Sequence, residues 1–441
     1  NALKDNTTAN YNIAVGSSSL ASNSTGAENV AMGHSAMFAN TTASSNTAIG
    51  HNAMAANTTG ADNTACGRTS LATNTTGNYN VAVGLNALND NTTASDNTAV
   101  GYNSLAVNTT ANSNTAVGSG SLTANTTGTL NVAMGVSALA ASTTGNNNTA
   151  IGTLALASNT TADANTAVGS YSLNANTTGT VNTAVGRLAL FANTTGSYNT
   201  AIGHISGDAI TTGQSNTALG YGSGSGISTS DNNTTIGGSC AATLSTGANN
   251  TCLGASAANS GTLLTTGSDN IVIGLAARTS AGDVDNEIVM GSSVQGTGNQ
   301  TFVFGEGTLD TNCSMGGTTW ANPSDVRIKE EIEDEVVGLS FINDLRPRTF
   351  RYRKEKDIPE ALNAHVADSE KRYKTDKYEH GFVAQEVKEA IDKHSALKDG
   401  FDMWAEDVND GRQRVGPTAV IPMLVKAIQE LSAEVEKLKG A

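Results

Sequence analysis

One 17-residue unit, repeated many times, decides the fold of this chain, and residues 182–198 give a clear copy of it: Asn182-Thr183-Ala184-Val185-Gly186-Arg187-Leu188-Ala189-Leu190-Phe191-Ala192-Asn193-Thr194-Thr195-Gly196-Ser197-Tyr198. The first glycine of the unit recurs once per unit, at a constant interval, from Gly16 to Gly254, and an Asn stands four places before each of these glycines. A period this short and constant predicts a solenoid, in which one coil of chain is repeated along an axis and contacts only its neighbours.

The residues before each of these glycines indicate how one coil is built. The residue directly before the glycine is apolar, as in Val15 and Met32, and we expect it to face a core. The residue before that is Ala in 13 of 15 copies, which predicts a backbone or a partner chain packed closely against it. The residue three places before the glycine is β-branched, so the residues between the Asn and the glycine are predicted to form a short strand. A second apolar row lies four places after the glycine, as in Leu20 and Met37.

Two corners close each predicted coil. The glycine is needed where φ is positive or where backbone approaches backbone. A second corner falls ten places later, where Gly alternates with Ala and where Asn-Thr-Thr supplies side chains that bond their own backbone. Two strands and two corners per coil predict a parallel β-roll or β-solenoid with Asn ladders between coils. Each coil rises by about 4.8 Å, so fifteen coils span roughly 70 Å.

A single coil contains little apolar volume, since it holds one Val, one Leu and a few Ala. We therefore expect a homotrimer in which other chains cover the constant Ala face. The Asn-Thr-Ala-Val-Gly units with a following Ala-Leu resemble the head repeats of trimeric autotransporter adhesins and of phage tail fibres, over about residues 1–290. That resemblance implies three left-handed parallel β-rolls around one axis, although the adhesin repeat is usually shorter than the unit of this chain.

Charge divides the chain and excludes several partners. The formal net charge is −15; residues 1–300 contain 4 Lys/Arg and 12 Asp/Glu, whereas residues 321–441 contain 20 and 25. No basic stripe is present, so nucleic acid is not an expected partner. No apolar run approaches the length that a membrane span requires, so membrane insertion is not expected. No Cys-x-x-Cys pair suggests zinc, no cofactor is expected, and Cys66 and Cys252 are predicted to be buried free thiols.

The residue after each corner glycine varies freely and is expected to face solvent. His34 and His51 hold this position in neighbouring coils, so their rings are predicted to lie about 5 Å apart. If the row faced a trimer axis, six imidazoles could bind a transition metal. The same position also holds Arg68, Leu85 and Tyr102, which favours an outward row, and no metal site is predicted.

Changes in glycine spacing and composition predict the domain boundaries. Residues 1–257 form the regular repeats. Residues 258–322 form irregular repeats and a neck, because the glycine interval lengthens before Gly274, returns to the regular value at Gly291 and shortens before Gly305. At Pro323 the sequence becomes charge-rich and helical, which predicts a small α+β domain over 323–441 with a C-terminal helix over 417–440.

Several blocks of the C-terminal region together resemble one known family. They are Ser324-Asp325-Val326-Arg327-Ile328-Lys329, Gly338–Pro347 with Phe350-Arg351-Tyr352, His380–Val387, and Ile421–Leu431. In this order they resemble the intramolecular chaperone domain of endosialidases and of other phage tail spikes and fibres, from Ser324 to about Leu438. The resemblance implies a domain that trimerises, templates the folding of the β-rich fibre before it, and then cuts itself off.

The same resemblance implies a catalytic dyad. Ser324 would be the nucleophile, Lys329 the base, and Pro323–Ser324 the scissile bond, while Asp325, Arg327, Gln385 and Glu386 are predicted to support the dyad. A Ser hydroxyl is a poor nucleophile until a base takes its proton. A Lys can serve if burial lowers its pKa, and we expect nearby Arg327 to act in the same direction.

The spacing of the dyad limits its conformation. Residues five apart on a helix lie about 140° from each other. Ser324 must therefore lie outside a helix, or another chain must supply the partner. Pro323 departs from the family pattern, and we expect it to slow or alter cleavage.

The last helix is predicted to carry a trimer seam. Apolar residues recur there with 3-4-3-4-3 spacing, at Ile421, Leu424, Ile428, Leu431, Val435 and Leu438. This spacing predicts a coiled coil of about two and a half heptads. Ile at a and Leu at d is more typical of two strands than of three, so we expect the rest of the domain to determine the trimer.

The sequence supports one main function and two alternatives. The main prediction is a virion tail fibre, a homotrimer that contacts a host-surface receptor, either a glycan or an outer-membrane component. Its only expected enzymatic activity is single-turnover self-cleavage. The first alternative is a bacterial cell-surface adhesin with the same chaperone domain. The second alternative is a glycan depolymerase. It is disfavoured because such enzymes need paired carboxylates in a groove, whereas the acids of residues 1–300, which we call the rod, are scattered.

Overall fold

The computed structural model describes residues 1–315, 321, 324–397, 401–406 and 411–439. The chain divides into two compact units, Asn1–Pro323 and Ser324–Ala441. The first unit is a parallel β-solenoid, as the repeat predicts. The second is a small α+β unit that ends in a long helix. The fold class predicted from the sequence is therefore confirmed for the single chain.

Each coil of the solenoid contributes one three-residue strand. Neighbouring strands pair in parallel with Thr, Ala and Val each opposite its own equivalent in the next coil, as in Thr98–Thr115, Ala99–Ala116 and Val100–Val117. The regular strands are β1 Ile13–Val15, β2 Val30–Met32, β3 Thr47–Ile49, β4 Thr64–Cys66, β5 Val81–Val83, β6 Thr98–Val100, β7 Thr115–Val117, β8 Val132–Met134, β9 Thr149–Ile151, β10 Thr166–Val168, β11 Thr183–Val185, β12 Thr200–Ile202, β13 Thr217–Leu219, β14 Thr234–Ile236 and β15 Thr251–Leu253.

The inside of each coil is formed by the Ala row and the Leu row. Ala116 and Leu122 are fully buried, and so are most of their equivalents along the solenoid. The predicted orientation of the strand was therefore wrong in one respect. The Ala faces the core of its own chain, and the apolar residue before the glycine points outward. Val15 is 54% exposed, and Cys66, expected to be buried, is exposed too.

The second side of the coil is not a strand, contrary to the prediction. Residues two and four places after each corner glycine have positive φ, as in Ser137 (φ 54°) and Leu139 (φ 53°). The backbone N–H of Leu139 nevertheless donates to Ala155 O of the next coil at 3.0 Å. A non-glycine residue in this region costs about 1–2 kcal/mol, so each coil depends on bonds to its neighbours.

The corner glycines meet both conditions that the sequence analysis named. Gly118 has φ +133°, a conformation that side chains rarely adopt. A Cβ atom built on Gly118 would lie 2.5 Å from Gly135 O in the next coil, which is closer than any real contact. The constant position of this glycine in the repeat therefore follows from both backbone conformation and coil-to-coil distance.

Two buried Asn ladders run through the solenoid, as predicted. Asn63 belongs to the first ladder: its Nδ2 donates to Asn46 Oδ1 at 3.2 Å and to Gly77 O at 2.8 Å, and its Oδ1 accepts from the backbone N–H of Asn80 at 2.9 Å. In the second ladder, Asn57 Nδ2 donates to Asn40 Oδ1 at 2.9 Å. The ladders satisfy polar groups that would otherwise be costly to bury.

Each ladder also has a defined interruption or end. Ser142 replaces Asn in the second ladder, and both its Oγ and the neighbouring Asn125 Oδ1 are buried without a partner. The first ladder ends on Glu287, whose backbone N–H donates to Asn270 Oδ1 at 2.9 Å. The buried Glu287 carboxylate accepts from the backbone N–H groups of Ser280 and Gly298, at 2.9 and 2.8 Å.

The parallel stack continues beyond the regular repeat. The lengthened interval before Gly274 contains a small antiparallel hairpin, β16 Asn259–Ser260 with β17 Thr262–Leu263. Strands β18 Ile271–Ile273, β19 Ile288–Ser292 and β20 Thr301–Glu306 then extend the parallel ladder. Strand β21 Leu309–Ser314 pairs antiparallel with β20.

The C-terminal unit has three α-helices and two short hairpins among the described residues. Helices α1 Leu339–Asp344, α2 Ala384–Lys393 and α3 Ile421–Lys439 surround a small core with Phe341, Val387 and Met423 at its centre. The antiparallel hairpins are β22 Arg348–Phe350 with β23 Glu379–Gly381, and β24 Trp404–Glu406 with β25 Gln413–Val415. Short 3₁₀ turns span Val326–Ile328, Glu355–Asp357 and Pro417–Val420.

Helix α3 has two distinct faces. Met423 and Ala427 are buried in the unit, and Glu430 Oε2 accepts from the backbone N–H of Leu339 at 2.8 Å, at the start of α1. The predicted seam residues are all exposed in the single chain: Ile421, Leu424, Ile428, Leu431, Val435 and Leu438.

Candidate functional site: the Ser324–Lys329 pair

The structure brings Ser324 and Lys329 into direct contact. Lys329 Nζ donates to Ser324 Oγ at 2.7 Å. Ser324 precedes the 3₁₀ turn Val326–Ile328, and Lys329 directly follows it. Extended backbone at both ends of this tight turn lets residues five apart meet, which a straight helix would not allow. The contact between the two predicted dyad residues therefore forms within one chain.

Asp325 fixes the turn between the two residues. Its Oδ1 accepts from the backbone N–H of Arg327 at 2.8 Å, which caps the start of the 3₁₀ turn. The guanidinium of Arg327 also binds this carboxylate, with Nε to Oδ1 at 2.9 Å and Nη2 to Oδ2 at 2.6 Å. These bonds lower the pKa of Asp325 below its ordinary value.

This ion pair changes the role expected for Arg327. The sequence analysis expected its charge to disfavour the ammonium form of Lys329. In the structure the guanidinium pairs with Asp325, so a neighbouring carboxylate compensates its positive charge. Arg327 and Asp325 therefore shape the turn that carries the dyad.

The sequence analysis also expected Lys329 to be buried, and the single chain does not bury it. Ser324 and Lys329 are both exposed. The geometry needed for proton transfer is present, because the two atoms lie within hydrogen-bond distance. The described residues of the single chain do not exclude water from this contact.

The other predicted site residues lie apart from this contact or outside the described residues. Gln385 is exposed in the first turn of α2. Glu386 forms a two-bond ion pair with Arg348, which lowers the pKa of the Glu386 carboxyl. This pair joins α2 to β22 and therefore has a structural role. Pro323, on the other side of the predicted scissile bond, lies outside the described residues.

Comparison with known families supports the resemblance for three of the four C-terminal blocks, and Ile421–Leu431 lies outside the match. Residues 324–395 match the family model described as chaperone of endosialidase. The match begins at the predicted nucleophile, at the first residue of the second compact unit. No curated protein and no solved structure matches the chain. A β-solenoid followed by this chaperone segment fits a fibre or spike with an intramolecular chaperone.

Two features considered from the sequence were a metal site and a row of histidine side chains. No group of three or more His, Cys, Asp or Glu side chains within these ranges could hold a metal ion. His34 and His51 are exposed and stacked, with ring centroids 5.2 Å apart as predicted. Among the helices described, none is long and apolar enough to cross a membrane.

Sequence reasoning missed one group of residues and misplaced another. His394 Nε2 and Asp344 Oδ2 lie 2.8 Å apart, and this contact joins the ends of α1 and α2. Its partners are distant in sequence, so no local pattern indicates it. The second group is the outer ridge, which we define as the apolar residue before each corner glycine.

Proposed function

We propose that this chain is a homotrimeric tail fibre used for attachment to a host surface, and that its C-terminal unit assists folding of the trimer and then releases itself by autoproteolysis. The observation that carries the proposal is the contact of Lys329 Nζ with Ser324 Oγ, placed at the first residues of a segment that matches the chaperone of endosialidase family. The Ser324 boundary between two compact units is where such a cut would separate fibre from chaperone.

The chemistry follows from the residues of this turn. A neutral Lys329 amine takes the hydroxyl proton of Ser324 while Oγ attacks the carbonyl carbon of Pro323. The carbon–nitrogen bond breaks, and the proton passes to the nitrogen that becomes the new α-amino group of Ser324. Because the nucleophile and the leaving nitrogen belong to one residue, the acyl group moves onto Oγ as an ester. Water then hydrolyses this ester and leaves a carboxylate on Pro323.

The outer ridge supports self-association of the rod. It is at least partly exposed along its whole length, and it consists of Val15, Met32, Ile49, Cys66, Val83, Val100, Val117, Met134, Ile151, Val168, Val185, Ile202, Leu219, Ile236, Leu253, Ile273 and Met290. A continuous apolar stripe of this size is unusual on a monomer. A second copy of the chain has the same coil spacing, so its outer ridge can contact this stripe coil by coil along the whole length. The number three rests on the resemblance to trimeric fibres.

The C-terminal unit also offers a surface for association. Ile428 is 66% exposed, and the other seam residues share its face of α3. In a trimer these faces would pack around one axis. The same assembly could supply the burial that Lys329 lacks in one chain, which would make cleavage follow correct assembly.

The conformation of the rod explains why a template would help. Three non-glycine positions in a regular coil have positive φ, for example Asn86, Leu88 and Asp96. A lone coil therefore has little local preference for its native shape, and its stabilising bonds appear only when a neighbouring coil is present. A chaperone unit that brings three chains together in register would reduce the cost of forming the first coils.

Mass spectrometry of the purified full chain tests the cleavage. The wild-type chain should convert from 44.7 kDa to two fragments that meet between Pro323 and Ser324. Ser324→Ala and Lys329→Ala should remain at full mass while forming trimers, measured by light scattering at about three times 44.7 kDa. Ser340→Ala, an exposed serine of α1, is the matched control and should cleave normally.

Two outcomes would contradict parts of the proposal. A wild-type chain that is trimeric but stays at full mass would show that the dyad is inactive, and the unit would be a chaperone only. A stable monomer in native buffer would refute the fibre assembly.

A further inference from the structure

The solenoid places its aromatic rings on the surface. Residues 1–300 contain eight aromatic residues, and all are exposed: Tyr11, Phe38, Tyr79, Tyr102, Tyr171, Phe191, Tyr198 and Tyr221. The buried core of these coils is built from Ala, Leu, Met, Ile, Val, Cys and polar ladders instead. Aromatic rings are the side chains that would add most to such a thin core. Their external position points to contacts with something outside the chain.

Three of these rings and two basic side chains lie in four neighbouring coils and make two sets of contacts, which we together call the cluster. Tyr171 and Phe191 meet edge to face, with ring centroids 6.5 Å apart. His204 and Tyr221 stack with centroids 5.6 Å apart and an interplanar angle of 22°. Arg187 Nη1 lies 3.0 Å from His204 Nε2. Because an Arg can only donate a hydrogen bond, His204 Nε2 is the acceptor in this contact.

The charges of this cluster favour an anionic ligand. Within the described ranges no carboxylate lies within salt-bridge distance of Arg187, although the rod contains 12 Asp/Glu and only 4 Lys/Arg. Asp208 lies close enough to His204 to interact with it electrostatically, and its Oδ1 is buried without a partner. Burial raises the pKa of the Asp208 carboxyl above its ordinary value.

We propose that the cluster of Arg187, His204 and Tyr221, flanked by Tyr171, Phe191 and Asp208, binds a carboxylated polysaccharide. The inference rests on the proposed attachment function and assigns it a site. The guanidinium fork of Arg187 bonds the carboxylate. The rings of Tyr221 and Tyr171 pack against the apolar faces of sugar rings, and His204 bonds a hydroxyl group.

The dimensions of the cluster suit a polymer that lies along the rod. Tyr171 and Tyr221 stand three coils apart, which is about 15 Å at one strand spacing per coil. An extended chain of a few sugar units covers this length, so that successive coils contact successive units. Tyr221 is 60% exposed, which leaves its ring accessible to such a chain.

Binding of the assembled full-length Ser324→Ala protein to immobilised polygalacturonate, alginate and hyaluronate tests the site, with the carboxyl-reduced form of each polymer as the paired neutral probe. At least one acidic polymer should bind at least tenfold better than its reduced form. Arg187→Gln and Tyr221→Ala should each weaken that binding by about tenfold, the loss expected for one charge-assisted bond or one stacked ring. Arg68→Gln and Tyr102→Ala change the same coil position elsewhere and should bind within about twofold of the parent.

The possible failures separate this inference from the proposed function. If no acidic polymer is preferred over its reduced form, or if the two controls weaken binding as much as the cluster variants, the site is refuted. If the Ser324→Ala protein trimerises and the wild-type chain cleaves, either result leaves the fibre proposal standing and removes only the site. A Ser324→Ala protein that does not trimerise, together with a wild-type chain that does not cleave, refutes the fibre proposal itself. All four substitutions replace exposed side chains, so circular dichroism should be unchanged.

Discussion

The two units of this chain are stabilised in different ways. In the solenoid, each coil repeats the bonds of its neighbour, its buried polar groups form ladders, and Lys4–Asp5 is the only salt bridge found within residues 1–315. In the C-terminal unit, a small core around Phe341 is supported by ion pairs between elements distant in sequence, as in Arg348–Glu386.

The difference suggests a division of labour between the units. The solenoid gains stability with every added coil, but its first coils form against unfavourable backbone conformations. The C-terminal unit is small, and the outer face of α3 is apolar and exposed, so it is suited to bringing chains together. The C-terminal unit would nucleate assembly of the chains, and the solenoid would stabilise the folded fibre.

Removal of the C-terminal unit should have the largest effect on the solubility and assembly of the chain. A chain that lacks residues 324–441 during synthesis should aggregate, because three rods would have to find their register without a template. The soluble fraction and its mass by light scattering give the readout. The same rod released by cleavage after folding is the control and should stay soluble. Soluble, trimeric rod from the truncated gene would show that the units fold independently of each other.

A pair of adjacent substitutions should separate the inside of a coil from its outer ridge. Ala116 is fully buried, so Ala116→Asp places a charge in the core and should cost several kcal/mol. Val117 points outward, so Val117→Asp should leave the coil folded and weaken association of chains. Circular dichroism reports the fold, and light scattering reports assembly. Equal loss of fold in both variants would mean that Val117 also belongs to the core of its own chain.

Repair of the interrupted ladder should have a smaller, stabilising effect. Ser142→Asn places an amide between Asn125 and Asn159, where Asn125 Oδ1 is buried and unpaired. A new hydrogen bond to this oxygen should stabilise the rod by about 1 kcal/mol. Denaturant unfolding of the cleaved rod measures the gain, and Ser119→Asn on the exposed row is the control. An unchanged or lowered midpoint would show that the site has no room for the amide.

Acid should slightly lower the stability of the C-terminal unit. Hydrogen bonds from Lys354 and Lys356 lower the pKa of Glu370 from its ordinary 4.5 to about 2. A lowered carboxyl pKa contributes stability above pH 4.5, and this contribution is lost as the pH falls towards 2. The pairs are exposed, so the effect should be small and weakened by salt.

Calorimetry of the Ser324→Ala chain between pH 5 and pH 2 can follow the two units separately. The transition of the C-terminal unit should move to lower temperature while that of the rod moves less. Glu370→Gln should reduce the shift. A rod that is the more acid-sensitive of the two would contradict the assignment of ion-pair stabilisation to the C-terminal unit.

The sequence by itself determined the repeat, the corner glycines, the Asn ladders and the proximity of the predicted dyad to a domain boundary. The repeat, the glycines and the Asn residues recur in every coil, so each coil gives the same evidence for them. Gly118 illustrates this, because only glycine satisfies both its φ and the close approach of Gly135. The dyad and the boundary follow from a local change in composition and from the adjacent sequence blocks. The resemblance of the C-terminal blocks added the predicted roles of Ser324 and Lys329, which their spacing alone could not assign.

Only the tertiary structure decided which face of the strand is inside and how the second side of the coil runs. Alternation shows that Ala116 and Val117 point in opposite directions, but it does not say which of them meets Leu122 across the coil. In this coil the methyl group of Ala116 lies inside and the larger Val117 side chain lies outside. The positive φ of Leu122 likewise depends on bonds to the next coil. The contact of Ser324 with Lys329 depends on a turn capped by Asp325, a geometry that spacing does not encode.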